Sequence, residues 1–105
     1  MTQARIVLTT SGSQEEAQKI ARALVERKLA ACVNIVPRIE SIYRWQGKVE
    51  SATEWLLIIK TEARAFERLR EAIKELHSYE LPECVMLKVA GGSGAYLEWI
   101  GENVG

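Results

Sequence analysis

AACVNIVPRIESIYRWQGKVESATEWLLIIKT, residues Ala30–Thr61, is the stretch on which the fold turns. Its centre is Trp45-Gln46-Gly47-Lys48, where a glycine in the second turn position permits positive φ and lets the chain reverse in about two residues. Before the turn, Ile39, Ser41, Tyr43 and Trp45 alternate with Glu40, Ile42 and Arg44; after it, Val49, Trp55, Leu57 and Ile59 alternate with Leu56, Ile58 and Lys60. A period of two is that of a strand, so the stretch reads as one long β-hairpin. Pro37 has no amide hydrogen for a ladder and marks a bend, a bulge or an edge in the first arm. An arm from Ala31 to Trp45 spans roughly 50 Å if straight. A globule of this chain's 105 residues is only about 33 Å across, for a radius of gyration near 13 Å. The hairpin must therefore bend or overhang. Tyr43, Trp45 and Trp55 near its end would form an exposed aromatic patch unless another chain covers it, which predicts a homo-oligomer joined through the hairpin tip.

Outward from the hairpin, Arg5–Thr10 is a β-branched run that stops at Ser11-Gly12-Ser13. Ser13 with Glu16 three residues on forms a capping box, Glu16 reaching back to the cap. Ala17, Ile20, Ala21 and Leu24 then recur at helical spacing, with acids early and bases late in the segment. Thr61–His77 returns to helical period, with Phe66, Leu69, Ile73 and Leu76 in one stripe, and Tyr79-Glu80-Leu81-Pro82 closes it. Cys84–Ala90 reads as a fourth strand, and Gly91-Gly92-Ser93-Gly94 leads into a short amphipathic helix, Ala95–Ile100. The order βαββαβ plus a C-terminal helix is an α+β, ferredoxin-like domain that occupies all of residues 1–105.

Composition removes several functions. The chain has 14 Lys plus Arg, 14 Asp plus Glu and one His, for a formal net charge of zero. It lacks the basic excess with which a general nucleic-acid binder displaces counterions. Its longest apolar run, Trp55–Ile59, is far short of the roughly 20 residues that cross a bilayer. Neither a nucleic-acid partner nor a membrane is expected. Residues Met1 to Arg5 show no signal-peptide pattern, so a cytoplasmic setting with Cys32 and Cys84 as free thiols is expected.

Several separated segments carry a resemblance over essentially the whole chain: Lys28–Asn34, Ser41–Lys48, Glu54 with Lys60-Thr61, His77–Glu83 and Tyr96–Trp99. Together they resemble CutA, the divalent-cation tolerance proteins. The resemblance implies a ferredoxin-like fold, a tight homotrimer whose hairpins extend onto neighbouring subunits as in the PII signalling proteins, and a cytoplasmic role connected with copper and other divalent cations. The chain departs from that family's copper-linked pattern, which has a Cys near the end of strand one and adjacent His residues at the end of the second helix. Here those places hold Thr9 and Leu76, leaving His77 alone, and Ser78 replaces the usual proline.

One imidazole does not hold copper or zinc strongly, since these ions take several N or S ligands. His77 and Cys32 are nevertheless the candidate metal ligands, for copper or another divalent cation. Against that, His77 also reads as a helix-terminal residue bound to the last carbonyls, and Cys32 as a small strand residue between Ala31 and Val33. Cys84 reads as structural, its thiol pKa raised by Glu83. A second constellation comprises Tyr43, Trp45, Glu54, Lys60, Tyr79 and Glu83, which the resemblance places around clefts between subunits. There Lys60 and His77 would hold a small anionic ligand between aromatic walls. Gly91–Gly94 lacks the spacing of a phosphate loop. No organic cofactor is expected. One His and two interior thiols assemble no nucleophile–base pair, so the expectation is a binding or regulatory protein in metal tolerance and not an enzyme. The alternative is a PII-like small-molecule-binding signalling trimer without direct metal binding.

Overall fold

The computed structural model describes residues 2–105. The hairpin arms are β2 (Cys32–Trp45) and β3 (Lys48–Glu62), flanked by β1 (Ala4–Ser11) and β4 (Val85–Lys88). Gln46 at φ 50° and Gly47 at φ 80° make the turn, with both central residues left-handed as a two-residue hairpin requires. Pairing runs from Trp45↔Lys48 to Ile39↔Glu54, breaks, and resumes from Val36↔Leu56 to Cys32↔Lys60. At the break Pro37 and Arg38 face the single residue Trp55, and Arg38 adopts φ 59°. This is the bulge that Pro37 announced, and it lies on an edge strand, because the sheet order is β2-β3-β1-β4. All three pairings are antiparallel, β1 joining β3 from Ala4↔Glu62 to Ser11↔Trp55 and β4 from Arg5↔Lys88 to Leu8↔Val85. The architecture is the ferredoxin-like one.

Helices α1 (Gln14–Glu26) and α2 (Phe66–Leu76) cover one face. Their stripes, Ile20 and Leu24 from α1 and Leu69 and Ile73 from α2, close on Val7, Leu57 and Ile59 of the sheet, all fully buried. A shorter helix α3 (Gly94–Glu102) packs Ile100 with Ala4, Ala65 and Val104 in a second cluster. Arg64 secures its end by donating to the carbonyls of Gly101 and Val104. Strand alternation turns Ile6, Leu8, Leu56, Ile58, Val85 and Leu87 to the other face, away from α1 and α2. There Val85 and Leu87 are exposed.

The molecule measures 44 × 26 × 23 Å, with a radius of gyration of 14.1 Å. The long axis exceeds the diameter of a sphere of this length, as the hairpin arithmetic requires. At the protruding tip Ile42 is 69% and Val49 67% exposed.

Several boundaries differ from the sequence pattern. Thr61 and Glu62 belong to β3 and not to the second helix; Ala63–Ala65 form a 3-10 turn and α2 starts at Phe66. Sheet pairing outbids helical period here, since Glu62 pairs with Ala4, Ala63 N–H bonds Gln3 and the buried Thr61 hydroxyl donates to the Leu29 carbonyl at 2.7 Å. β4 covers only Val85–Lys88, the residues that find partners on β1, and α3 begins at Gly94. The last turn of α1 contains no base. Arg27 is its cap, and Lys28, at φ 58°, makes the left-handed exit that closes the bonds of Lys28 N–H to Val25 and Leu29 N–H to Leu24. A side chain in that conformation costs about 1 kcal/mol relative to glycine. Lys28→Gly is therefore expected to stabilise the protein by about that amount, seen as a later midpoint in urea unfolding.

Candidate functional site

The site forms where the α2–β4 loop, residues 77–84, crosses the end of β1 and meets the outer half of the hairpin. His77 leaves the helix with extended backbone, and its side chain is fully buried. Its Nε2 is 2.6 Å from the Thr10 carbonyl, and its Nδ1 is 3.0 Å from the backbone nitrogen of Tyr79. A carbonyl only accepts and an amide N–H only donates, so the proton is on Nε2 and the ring is neutral in this arrangement. Glu16 Oε1 lies 3.6 Å from Nδ1, a contact of a carboxylate with an unprotonated nitrogen and not an ion pair. Both ring nitrogens are thus occupied, Nε2 in fastening the loop to β1 and Nδ1 in holding the turn at Tyr79.

Ser13 caps α1 by accepting from Glu16 N–H, but the expected return bond from Glu16 to the cap is absent among the described residues. The Glu16 carboxylate instead accepts from the Ser11 hydroxyl at 2.8 Å and from Ser78 N–H at 2.9 Å, joining helix, strand and loop. Burial pushes this carboxyl up, but hydrogen bonds from Ser78 and Ser11 outweigh it and hold the pKa below the ordinary 4.5.

Past His77, Tyr79 lies against its ring with centroids 4.6 Å apart. The Tyr79 hydroxyl donates to Glu54 Oε2 at 2.7 Å. Glu54 is only 7% exposed. Burial first, and then the bond to Glu54 and its charge, push the Tyr79 phenol well above its usual pKa. Gly12 makes room for this arrangement, because a Cβ there would stand 3.0 Å from the Tyr79 oxygen. The Glu54–Tyr79 pair borders a cavity of about 680 Å³, with Tyr43, Trp45 and Ser41 from the hairpin, Glu80, Leu81, Pro82 and Glu83 from the loop, and Thr10 from β1.

Five of the six residues expected at a cleft, Tyr43, Trp45, Glu54, Tyr79 and Glu83, thus line one cavity. Lys60 does not: it lies six residues along β3 from Glu54, about 20 Å in an extended strand. Its ammonium stands 5.7 Å from the centre of the Tyr96 ring. With Lys60 remote and the His77 ring neutral and enclosed, the cationic half of an anion site is not assembled within this chain. Nor does one chain unite the two candidate metal ligands. Cys32 is opposite Lys60 and Thr10 opposite Leu56, so about 13 Å of β3 separates Cys32 from the strand position that holds His77. Cys32 Sγ has Asn34 Oδ1 at 3.8 Å. Among the described residues, no three His, Cys, Asp or Glu side chains converge on a common point. Thr9 and Leu76, at the other positions of the copper-linked pattern, lie in and against the core, and among the described residues the Thr9 hydroxyl has no hydrogen-bond partner. Cys84 packs against the core; burial raises its thiol pKa, with Glu67 and Glu83 adding to the effect and Arg70 opposing it.

Sequence reading did not place Thr10, Ser41, Ile42, Glu80, Leu81 or Pro82 at the site. Thr10 and Ser41 carry no signal that separates them from ordinary strand residues. Glu80 does carry one: with Glu83 it brackets Leu81-Pro82, and a proline-bent loop brings two acids so spaced to one mouth.

This fold and cleft define a small ferredoxin-like protein with a protruding hairpin and an acidic, aromatic cavity against the outer half of that hairpin. The family model for CutA1 divalent ion tolerance protein matches residues 5–103, and the chain belongs to that family. It is 54% identical over 100 residues to the divalent-cation tolerance protein CutA of Thermus thermophilus, covering 95% of this chain and 97% of that one. The chloroplastic CutA protein of Arabidopsis thaliana is 50% identical over 90% of this chain, which spans about half, 52%, of that longer protein. Among solved structures, the Archaeoglobus fulgidus protein, described as a periplasmic divalent cation tolerance protein, superposes with a TM-score of 0.93 at 42% identity, covering 97% of this chain and 99% of that one.

Two outcomes follow from the loop anchor. His77→Ala removes both ring bonds and orphans the Thr10 carbonyl, so it is expected to cost about 2–3 kcal/mol, with faster amide exchange at Tyr79. Because the folded pKa of Glu16 is depressed, its contribution to stability is present above pH 4.5 and is lost as pH falls through the folded value. Glu16→Gln is accordingly expected to flatten the acid side of the stability profile, measured by urea unfolding at successive pH values.

Proposed function

We propose that this chain acts as a cytoplasmic homotrimer that serves divalent-cation tolerance by binding and regulation, through a small-molecule ligand taken up in the Glu54–Tyr79 cleft, and not by catalysis. The observation that carries this reading is the contrast between the two polar centres. His77 is enclosed with both nitrogens bonded to backbone, whereas the buried Glu54–Tyr79 pair borders an open cavity of about 680 Å³. That volume is within the range of small-molecule sites, which combine apolar and aromatic walls with a few fixed polar groups.

Two features support the trimer. The sheet face away from α1 and α2 carries apolar Ile6, Leu8, Ile58, Val85 and Leu87, an extended patch of the kind that subunit contacts cover. The hairpin tip also projects beyond the body with Ile42 and Val49 largely exposed. In an assembly of this kind the tip of one subunit lies on the next, and the cleft along the outer half of the hairpin becomes the place where ligand occupancy is felt by a neighbour.

Sedimentation equilibrium at micromolar concentration is expected to give the mass of three chains, and Leu87→Glu to shift the protein toward single chains. A single-chain mass for the unaltered protein would overturn the trimer. A stoichiometric copper or zinc isotherm abolished by His77→Ala, in a variant that remains folded, would replace regulation by direct metal binding.

A further inference from the structure

We draw no further inference here: the strongest candidate, the depression between the end of α1 and the outer face of α2 with Leu29 and Ala72 beneath the exposed side chains of Arg27, Arg68, Glu71 and Glu75, carries nothing, because Arg27 already pairs with Glu75 and nothing in the structure shows what covers it.

Discussion

One extra residue in β2 decides where every side chain in the outer half of the hairpin points. Pro37 and Arg38 together face Trp55, and a strand has a period of two, so the bulge moves the odd-numbered residues of β2 from one face to the other. Before it, Val33 and Ile35 face the helices and pack against the core. After it, Ile39, Ser41, Tyr43 and Trp45 share the face of Glu54. Without the bulge Tyr43 and Trp45 would point away from Glu54, and the hairpin would lend the cavity no aromatic ring. The same irregularity increases strand twist, which helps a hairpin longer than the domain leave its body at an angle.

A second dependence fixes the opposite side of the cleft. The α2–β4 loop has little apolar anchorage, and its position is set by polar bonds to groups that are distant in sequence. His77 bonds the carbonyl of Thr10, Glu16 bonds the amide of Ser78, and Tyr79 bonds Glu54. The His77 bond is buried and the Tyr79 bond partly so, where a hydrogen bond is strong and its loss leaves an unsatisfied group; the Ser78 bond is exposed. The lone histidine, the first place to look for metal chemistry, is thereby a structural fastener within this chain. The cavity beside it is lined by Glu54, Glu80 and Glu83, an acidic group within a chain whose composition sums to zero net charge.

Family membership and fold constrain function to different degrees. Belonging to the CutA1 divalent ion tolerance family accounts for the βαββαβ order, the long hairpin and the loop that closes on it. Divalent-cation tolerance describes what a cell gains and not the molecular act behind it.

Much of this was legible in the residues. Alternation around Trp45-Gln46-Gly47-Lys48 specified the hairpin because only a left-handed turn pair reverses a twisted ribbon in two residues, and the capping serine and spaced apolar residues specified α1 for equally local reasons. Pro37 announced its bulge because it lacks an amide hydrogen. Tyr43, Trp45, Glu54, Tyr79 and Glu83 were grouped by the family resemblance, but Lys60 was not separable from them, since which end of a strand a residue reaches depends on its register with β1 and β2. The ends of β3 and β4 were likewise decided by their partners: Thr61 and Glu62 have helical neighbours in sequence but bond Leu29 and pair with Ala4 in space. The sequence by itself therefore determined the elements, their order and the overhang of the hairpin, all of which follow from local stereochemistry and chain length. Only the tertiary structure decided that His77 is enclosed and Glu54 faces a cavity, because the partners of both come from distant parts of the chain and hydrogen bonds between them form only when the sheet has closed.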